Sequence, residues 1–411
     1  MEKRPRGKTI LALLLVLALS FAVTASQVLY SFDKLITDPV YQIPSAPNSS
    51  IRILAIDERT IAALGEYADW TRDIPAQLVE LLSRDPETAP AVIAFDVMFA
   101  SPREEAADAR FAEACRRAGN VVTAVNLVFR TELSTDGSVV TADTDHISAV
   151  EYPYGELRAS VSYGFANTWL DRDQFVRFAR LRAEYEGETI WSFPCAVYQK
   201  YAERAGFEAR LPETDASGFY NFTYTGGSGA YEVLSLSEVL EGNIDPAVFT
   251  GGVVFVGAYA PGMQDSYNGA IQHGSQMYGV EIQANILEAL LEGKTGLAVN
   301  PLLFAAAVAL LAAVYFLAIR RMRIVPAALL GLGIIAAAVL AGRLLCMRGH
   351  VIRIAEPILA VLLIYACQLV VGYIRETLKK RRILNAFKKY VAPQVVEEVA
   401  NRGDFSIVLG G

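Results

Sequence analysis

Four long uncharged runs decide what this chain can fold into. Thr9 to Phe32 is free of charge over 24 residues, Thr295 to Ile319 over 25, Ile324 to Gly342 over 19 and Pro357 to Ile374 over 18. A bilayer core takes about 20 apolar residues per helix, so each run reads as a membrane span. The remaining sequence fits that reading, with only 20% charged residues and a mean hydropathy of +0.31. Cytoplasmic flanks are marked by Lys and Arg. Residues 1–8 hold four basic groups against one acid, and residues 375–411 hold eight against four. Residues 31–298, between the first two runs, hold 38 acidic and 19 basic residues. The expected layout is therefore a cytoplasmic N-terminus 1–8, a helix 9–32, an exported domain 33–296, helices 297–319, 324–342 and 354–374, and a cytoplasmic tail 375–411. One feature disagrees: the short exported loop after the third helix carries Arg343, Arg348 and Arg353.

An acidic middle between basic ends argues against nucleic acid as a partner; the lipid bilayer is the first partner expected. The first run reads as an uncleaved anchor, with a signal-peptidase site after Ala25 as the alternative. The four scattered cysteines form no CxxC pair, which excludes a zinc ribbon. Cys115 and Cys195 are the exported thiols, either bridged or both free and buried. Three scattered histidines (His146, His273 and His350) make no metal motif, and no Gly-x-Ser-x-Gly elbow is present. The run Gly226 to Gly229 lacks the downstream Lys of a phosphate loop.

Within the exported stretch, short apolar runs alternate with helical periodicity. Ile51 to Asp57, Ala91 to Val97, Val121 to Val128 and Gly252 to Val256 read as buried strands; Pro75 to Ser83, Asp108 to Ala118 and Val280 to Leu291 read as helices. Strands spaced by helices predict an α/β domain with a largely parallel, helix-flanked sheet. The middle, 130–250, is rich in Tyr, Thr and Gly and predicts an additional β-rich part. The whole is an α/β exported domain plus an α-helical transmembrane bundle.

Four blocks make this stretch resemble the type-2 CHASE family of extracellular sensory domains. They are Ile53 to Thr60 with Leu64-Gly65; Trp70-Thr71-Arg72-Asp73, where the family prefers Pro at the position of Thr71; Ile93 to Phe99 with Pro102; and Gly252 to Gly257, Asp265 and Gly279 to Leu287. The family usually shows His where this chain has Gln283. A weaker block, Asp171 to Arg177, is similar to the family's Asp-Gly-Val-Val-Arg but lacks its Gly. Three trailing spans are also the family's habit. The resemblance implies a bacterial inner-membrane, multi-pass receptor for an unidentified extracytoplasmic ligand or protein. The tail adds to it. Phe387 to Glu398 and Leu409-Gly410-Gly411 are similar to the lead-in of class III adenylate and guanylate cyclases, which makes Phe387, Tyr390 and Pro393 candidate coupling residues. Such catalytic sites form between two chains, which implies a homodimer, and use two divalent metal ions held by two carboxylates. The sequence stops before those carboxylates, so it is expected to hold no cofactor and to be an input module without its own catalyst. A histidine or serine/threonine kinase output is the alternative, and an exported-domain enzyme a third.

Ligands of open α/β sheets bind beyond the carboxyl ends of the strands. Asp57 and Asp96 are expected at such ends, and Asp265 in the loop after the last strand; with Arg72 they form the candidate ligand-binding cluster. The competing reading makes Asp57 and Asp96 helix caps.

Overall fold

The computed structural model describes residues 6–136, 139–143 and 146–387. It divides into two compact units, one made of Ser31–Val299 with Gly342–Arg353, the other holding the apolar helices.

The first unit is built on a seven-stranded sheet: β1 (Ile51–Ile56), β2 (Val92–Met98), β3 (Val121–Phe129), β4 (Ile147–Glu151), β5 (Ser162–Phe165), β6 (Glu232–Ser235) and β7 (Val253–Ala258). The order is β6-β1-β7-β2-β3, all parallel; β3 also pairs with β5 in parallel and with β4 antiparallel. Strands of a sheet covered on both faces carry apolar residues at nearly every position, which explains Ile51 to Ile56 and Val253 to Val256. Alternation then deals them to two cores. Ile53, Ala94 and Phe255 pack with the helices Phe193–Ala205 and Gly279–Glu292, while Leu54, Ile93, Phe95 and Val256 pack with the helices Asp73–Leu82 and Glu105–Ala118. Each fully buried side chain of this kind contributes about 1.5–3 kcal/mol. Cys195 belongs to the first core and Cys115 to the second; both are free and buried. The sheet between them keeps them from bridging, and burial pushes the Cys195 thiol up to about 12.

Residues after β5 supply the additional β-rich part. A four-stranded sheet joins Phe178–Arg180, Phe219–Phe222, Thr295–Ala298 and His350–Val351 in that order. The last pairing matches Leu297 with His350 and Ala298 with Val351. The Tyr41 hydroxyl donates to the Ile352 carbonyl at 2.8 Å, and Arg343 Nη1 donates to the Tyr41 carbonyl at 3.0 Å. The loop 342–353 is thus part of this unit.

The longest block of the sequence, Gly279 to Leu287, forms a helix buried nearly all round, yet it carries Glu281, Asn285 and Glu288 at helical spacing. These are acceptors for backbone that would otherwise be buried without partners. Glu281 accepts from Gly229 N at 2.6 Å and Tyr278 N at 2.9 Å; Asn285 accepts from Thr225 N at 3.0 Å and Gly226 N at 3.1 Å; Glu288 accepts from Asn48 N at 2.7 Å and the Tyr231 hydroxyl at 2.6 Å. Gly293, at φ 66, ends the helix in the left-handed conformation that suits glycine.

In the second unit, Pro301–Ile319, Ile324–Cys346 and the apolar part of Ala355–Phe387 are each long and apolar enough to cross a membrane. The count is four if the broken pair Thr9–Ala25 and Tyr30–Tyr41 is one span. The first run is therefore no single helix to Phe32: it turns over residues 26–29, with Gln27 at φ 54. Tyr315 is buried and donates to the Ala327 carbonyl at 3.1 Å. Gly331 packs against it so closely that a Cβ would lie 2.6 Å from the Tyr315 hydroxyl, whereas Gly333 has open space.

The polar stripe gives the first prediction. Asn285→Leu leaves the Thr225 and Gly226 amides buried without an acceptor, at a cost of about 2–4 kcal/mol. Trp70, Trp169 and Trp191 all lie in Ser31–Val299, so tryptophan fluorescence of the detergent-solubilised chain in denaturant reads this unit. An unchanged midpoint would mean that the loop 225–229 is held by something else.

Candidate functional site

At the carboxyl edge of the sheet, Asp57 follows β1 and opens the helix Glu58–Leu64. Its Oδ1 accepts from Thr60 N at 2.8 Å and from the Ser235 hydroxyl at 2.8 Å. The Ser235 oxygen is 3.0 Å from Thr60 Oγ1. Asp57 therefore caps a helix and stitches β1 to β6.

Asp96 sits inside β2 rather than at its end. On the β7 side it faces Gly257; on the β3 side Phe95 pairs with Thr123 and Met98 with Ala124, so Asp96 and Val97 form a bulge. Bulges re-aim side chains. A Cβ on Gly257 would come within 2.9 Å of Val280 Cβ and 3.3 Å of Asp96 Cβ, so only glycine lets the three meet. Asp265, in the loop after β7, packs both carboxylate oxygens where a side chain at Gly279 would project, against the first residue of the helix Gly279–Glu292. The Tyr267 hydroxyl bonds to it, but burial still holds its carboxyl above the ordinary range. Asp96 is pushed up to about 8, first by burial and then by the neighbouring Asp265 charge. At neutral pH Asp96 keeps its proton, so the pair can donate one hydrogen bond and accept others.

Arg72 does not join this pair. It lies with Phe95, Val97 and Phe99, whereas Asp96, one residue on from Phe95, points to the other face of the sheet, because strand side chains alternate. The Arg72 guanidinium stands 4.7 Å above the Phe99 ring, donates to the Ser101 carbonyl at 3.3 Å and faces Asp108 at 3.8 Å. Asp57 is apart as well, since β7 lies between β1 and β2 and two strand spacings are about 10 Å. Of the four candidate residues, the structure brings together Asp96 and Asp265.

A second charged cluster was not singled out by chemistry in the sequence. Arg177 is buried, with its side chain 5% exposed, and pairs with Asp38 at 2.8 Å, Asp171 at 2.9 Å and Asp173 at 2.6 Å. His273 Nε2 lies 2.9 Å from Asp38 Oδ2, and its ring stacks on Phe175 with centroids 4.4 Å apart. Burial works against both charges, yet the Arg177 contacts hold the Asp173 carboxyl below its usual range. Gln174, at φ 68, occupies the family's glycine position in the weaker block. Gln283, where the family shows His, donates to the Ala166 carbonyl at 3.1 Å. The signal for this cluster was the spacing of Asp171, Asp173 and Arg177, together with an acid at 38 just past an apolar run. Among the described residues no group of three or more His, Cys, Asp or Glu side chains is arranged to hold a metal ion. Of the coupling residues, Phe387 ends the helix Ala355–Phe387, and Tyr390 and Pro393 lie outside the described residues.

The sequence matches the family described as the CHASE2 domain over residues 10–319. No curated protein and no solved structure matches it.

The carboxyl pair predicts a pH dependence. Folded Asp96 keeps its proton up to about 8, while the unfolded chain releases it near the ordinary 3.8. Between those values the unfolded state binds fewer protons, so stability falls as pH rises, by up to about 1.4 kcal/mol per unit. Asp96→Asn should flatten this decline, gaining stability at pH 8 and nothing at pH 4. A slope identical to that of the wild type would remove Asp96 from the account.

Proposed function

The chain belongs to the CHASE2 domain family, and from that premise we propose that it is the input module of a transmembrane receptor whose output is a class III nucleotide cyclase. The exported unit binds a ligand or protein outside the bacterial inner membrane, and its state is passed through the apolar helices to a catalytic domain that follows in the full receptor. Because class III sites form between two chains, the working receptor is a homodimer. The module itself is not an enzyme and uses no cofactor; the catalytic domain would supply the carboxylates for two divalent ions. A ligand transmits a signal only by binding two states with different affinity.

The observation that carries this reading is the helix Ala355–Phe387. It runs for 33 residues, or about 50 Å at 1.5 Å per residue, whereas the hydrocarbon core needs about 30 Å. The excess contains Arg375 and Lys379 to Arg382 and has no Pro or Gly after Gly372, so it can carry rotation or translation beyond the bilayer. The cyclase as output rests on the likeness of residues 387–411 to a cyclase lead-in.

Compactness supports the topology. Residues 342–353 fold into the same unit as 31–299, and one folded unit occupies one side of a membrane. That side is the exported one if the basic segments 1–8 and 375–411 are cytoplasmic. The three loop arginines then no longer count as topology signals.

Two outcomes are expected. In a background with the native cysteines replaced, an impermeant maleimide added to spheroplasts should label Arg348→Cys and spare Arg321→Cys. Labelling of the second alone would invert the topology. With a class III catalytic domain fused after Gly411, inserting two glycines after Thr377 should leave basal cyclase activity in place and abolish its regulation from outside. Regulation that survives the insertion would reduce the helix to a tether.

A further inference from the structure

The unit of apolar helices carries a long groove. The helix Pro301–Ile319 packs against both Arg6–Ala25 and Ala355–Phe387 and holds the two apart, with a groove of about 1380 Å³ between them. One face of each outer helix lines it: Ala12, Val16, Leu19 and Val23 recur at helical spacing on the first, and Leu359, Leu363 and Val371 on the other. The lining on Ala355–Phe387 runs from Glu356 to Glu376, about 30 Å at 1.5 Å per residue, which is the thickness of a hydrocarbon core. Polar groups gather at one end. Arg320 Nη2 donates to Thr9 Oγ1 at 3.0 Å, and Gln368 Nε2 donates to the Ile319 carbonyl at 2.7 Å. Those bonds bring the start of the first helix, the end of Pro301–Ile319 and the turn around Arg375 to the same end. Arg320, Arg323 and Arg375 line the groove there with one carboxylate, Glu376, while Glu356 lies at the opposite end. Among the described residues no carboxylate stands within ion-pair distance of these three guanidiniums, and Arg323 and Arg375 have no hydrogen-bond partner.

We propose that this groove holds an anionic phospholipid, with an acyl chain along the apolar stripes and the phosphate on Arg320, Arg323 and Arg375. Small-molecule sites run from about 300 to 1,000 Å³; this groove exceeds that range and is as long as a bilayer leaflet pair is thick, which suits a lipid chain. Charge selects the head group. Three guanidiniums against one carboxylate leave an excess of positive charge, and a phosphate fits the guanidinium fork. Basic pockets between membrane helices bind anionic head groups by the same chemistry. A second copy of the chain does not supply the missing charge. Two copies in one membrane share one orientation, so the second brings the same arginines to the same depth. The proposal rests on these helices spanning a bilayer and not on the cyclase output. An occupant that touches both Arg6–Ala25 and Ala355–Phe387 ties the first helix to the one that continues beyond the bilayer, so lipid composition bears on how that helix is held.

The test is native mass spectrometry of the full chain in an uncharged maltoside detergent, titrated with phosphatidylglycerol or phosphatidylcholine. Such a micelle has no surface potential of its own, so only a defined site discriminates between the two. Phosphatidylglycerol is expected to be retained about tenfold more tightly, or better. Arg323→Gln with Arg375→Gln should weaken its binding roughly tenfold to thirtyfold. Arg321→Gln with Lys380→Gln removes equal charge from positions that do not line the groove and should change it by less than about threefold. Ala360→Trp fills the apolar stripe, leaves the charge alone and should also weaken binding. Equal retention of the two lipids, equal losses in the two double variants, or binding that survives Ala360→Trp overturns the proposal. A second copy as occupant is tested with the native cysteines replaced and Leu363→Cys oxidised in phosphatidylglycerol liposomes. Little disulfide dimer is expected; near-complete dimer makes the groove an interface between copies and overturns the lipid assignment. Because binding is read on the chain alone, a failure here leaves the cyclase output untouched.

Discussion

A guanidinium taken out of water must be matched, and Arg177 sets that condition for the α/β unit. Dehydrating such an ion costs several kcal/mol unless its partners are close and well aimed. Here the partners come from two places: Asp171 and Asp173 from the adjoining turn, and Asp38 from the helix Tyr30–Tyr41, far back in the sequence. The match therefore fixes more than a local turn. It docks the helix that follows the first apolar run onto the β-rich part, and it brings Arg177 and His273 together against the Phe175 ring. Gln174 adopts a left-handed backbone inside the same turn, a conformation that costs a non-glycine residue about 1–2 kcal/mol. The surrounding ion pairs hold it there.

The second organising constraint is the period of two along a strand. It makes β1, β2 and β7 legible as continuous apolar runs, because both faces are covered, and that much of the fold follows from Ile51 to Ile56, Val92 to Phe95 and Val253 to Val256 alone. The same period defeats a site drawn from sequence adjacency. Asp96 and Arg72 are both polar residues near the carboxyl edge of the sheet, but Phe95 and Val97 share a face with Arg72 and Asp96 does not. Choosing between faces requires the register with Gly257 and Val280, which depends on a pairing across 160 residues. Asp57 was legible as a cap from the residue type that opens a helix.

What stayed hidden has a common cause: backbone acceptors and donors carry no sequence signature. Glu281, Asn285 and Glu288 look like one polar face of an ordinary amphipathic helix, yet they point inward, because the segment 225–229 and Asn48 offer amides with no strand to pair with. Arg343 and its neighbours look like topology signals. Arg343 instead meets carbonyls at the end of a helix, where the dipole and the unsatisfied oxygens favour a cation. In both cases charge pattern was visible and purpose was not, since the partner is main chain.

The strand His350–Val351 alters how this protein can be divided. Gene fusions usually assume that a receptor is a bead of soluble domain joined to an interchangeable membrane anchor. Here the bead owns two residues of sheet that lie between two of its supposed anchor helices, together with the Arg343 contacts to the carbonyls of residues 40 and 41. A chimera that exchanges everything after Val299 would give the α/β unit a foreign edge strand and an unmatched helix end. The transferable cartridge is therefore discontinuous, 31–299 with 342–353, and its grafting is closer to transplanting a keystone with its neighbouring stones than to changing a handle.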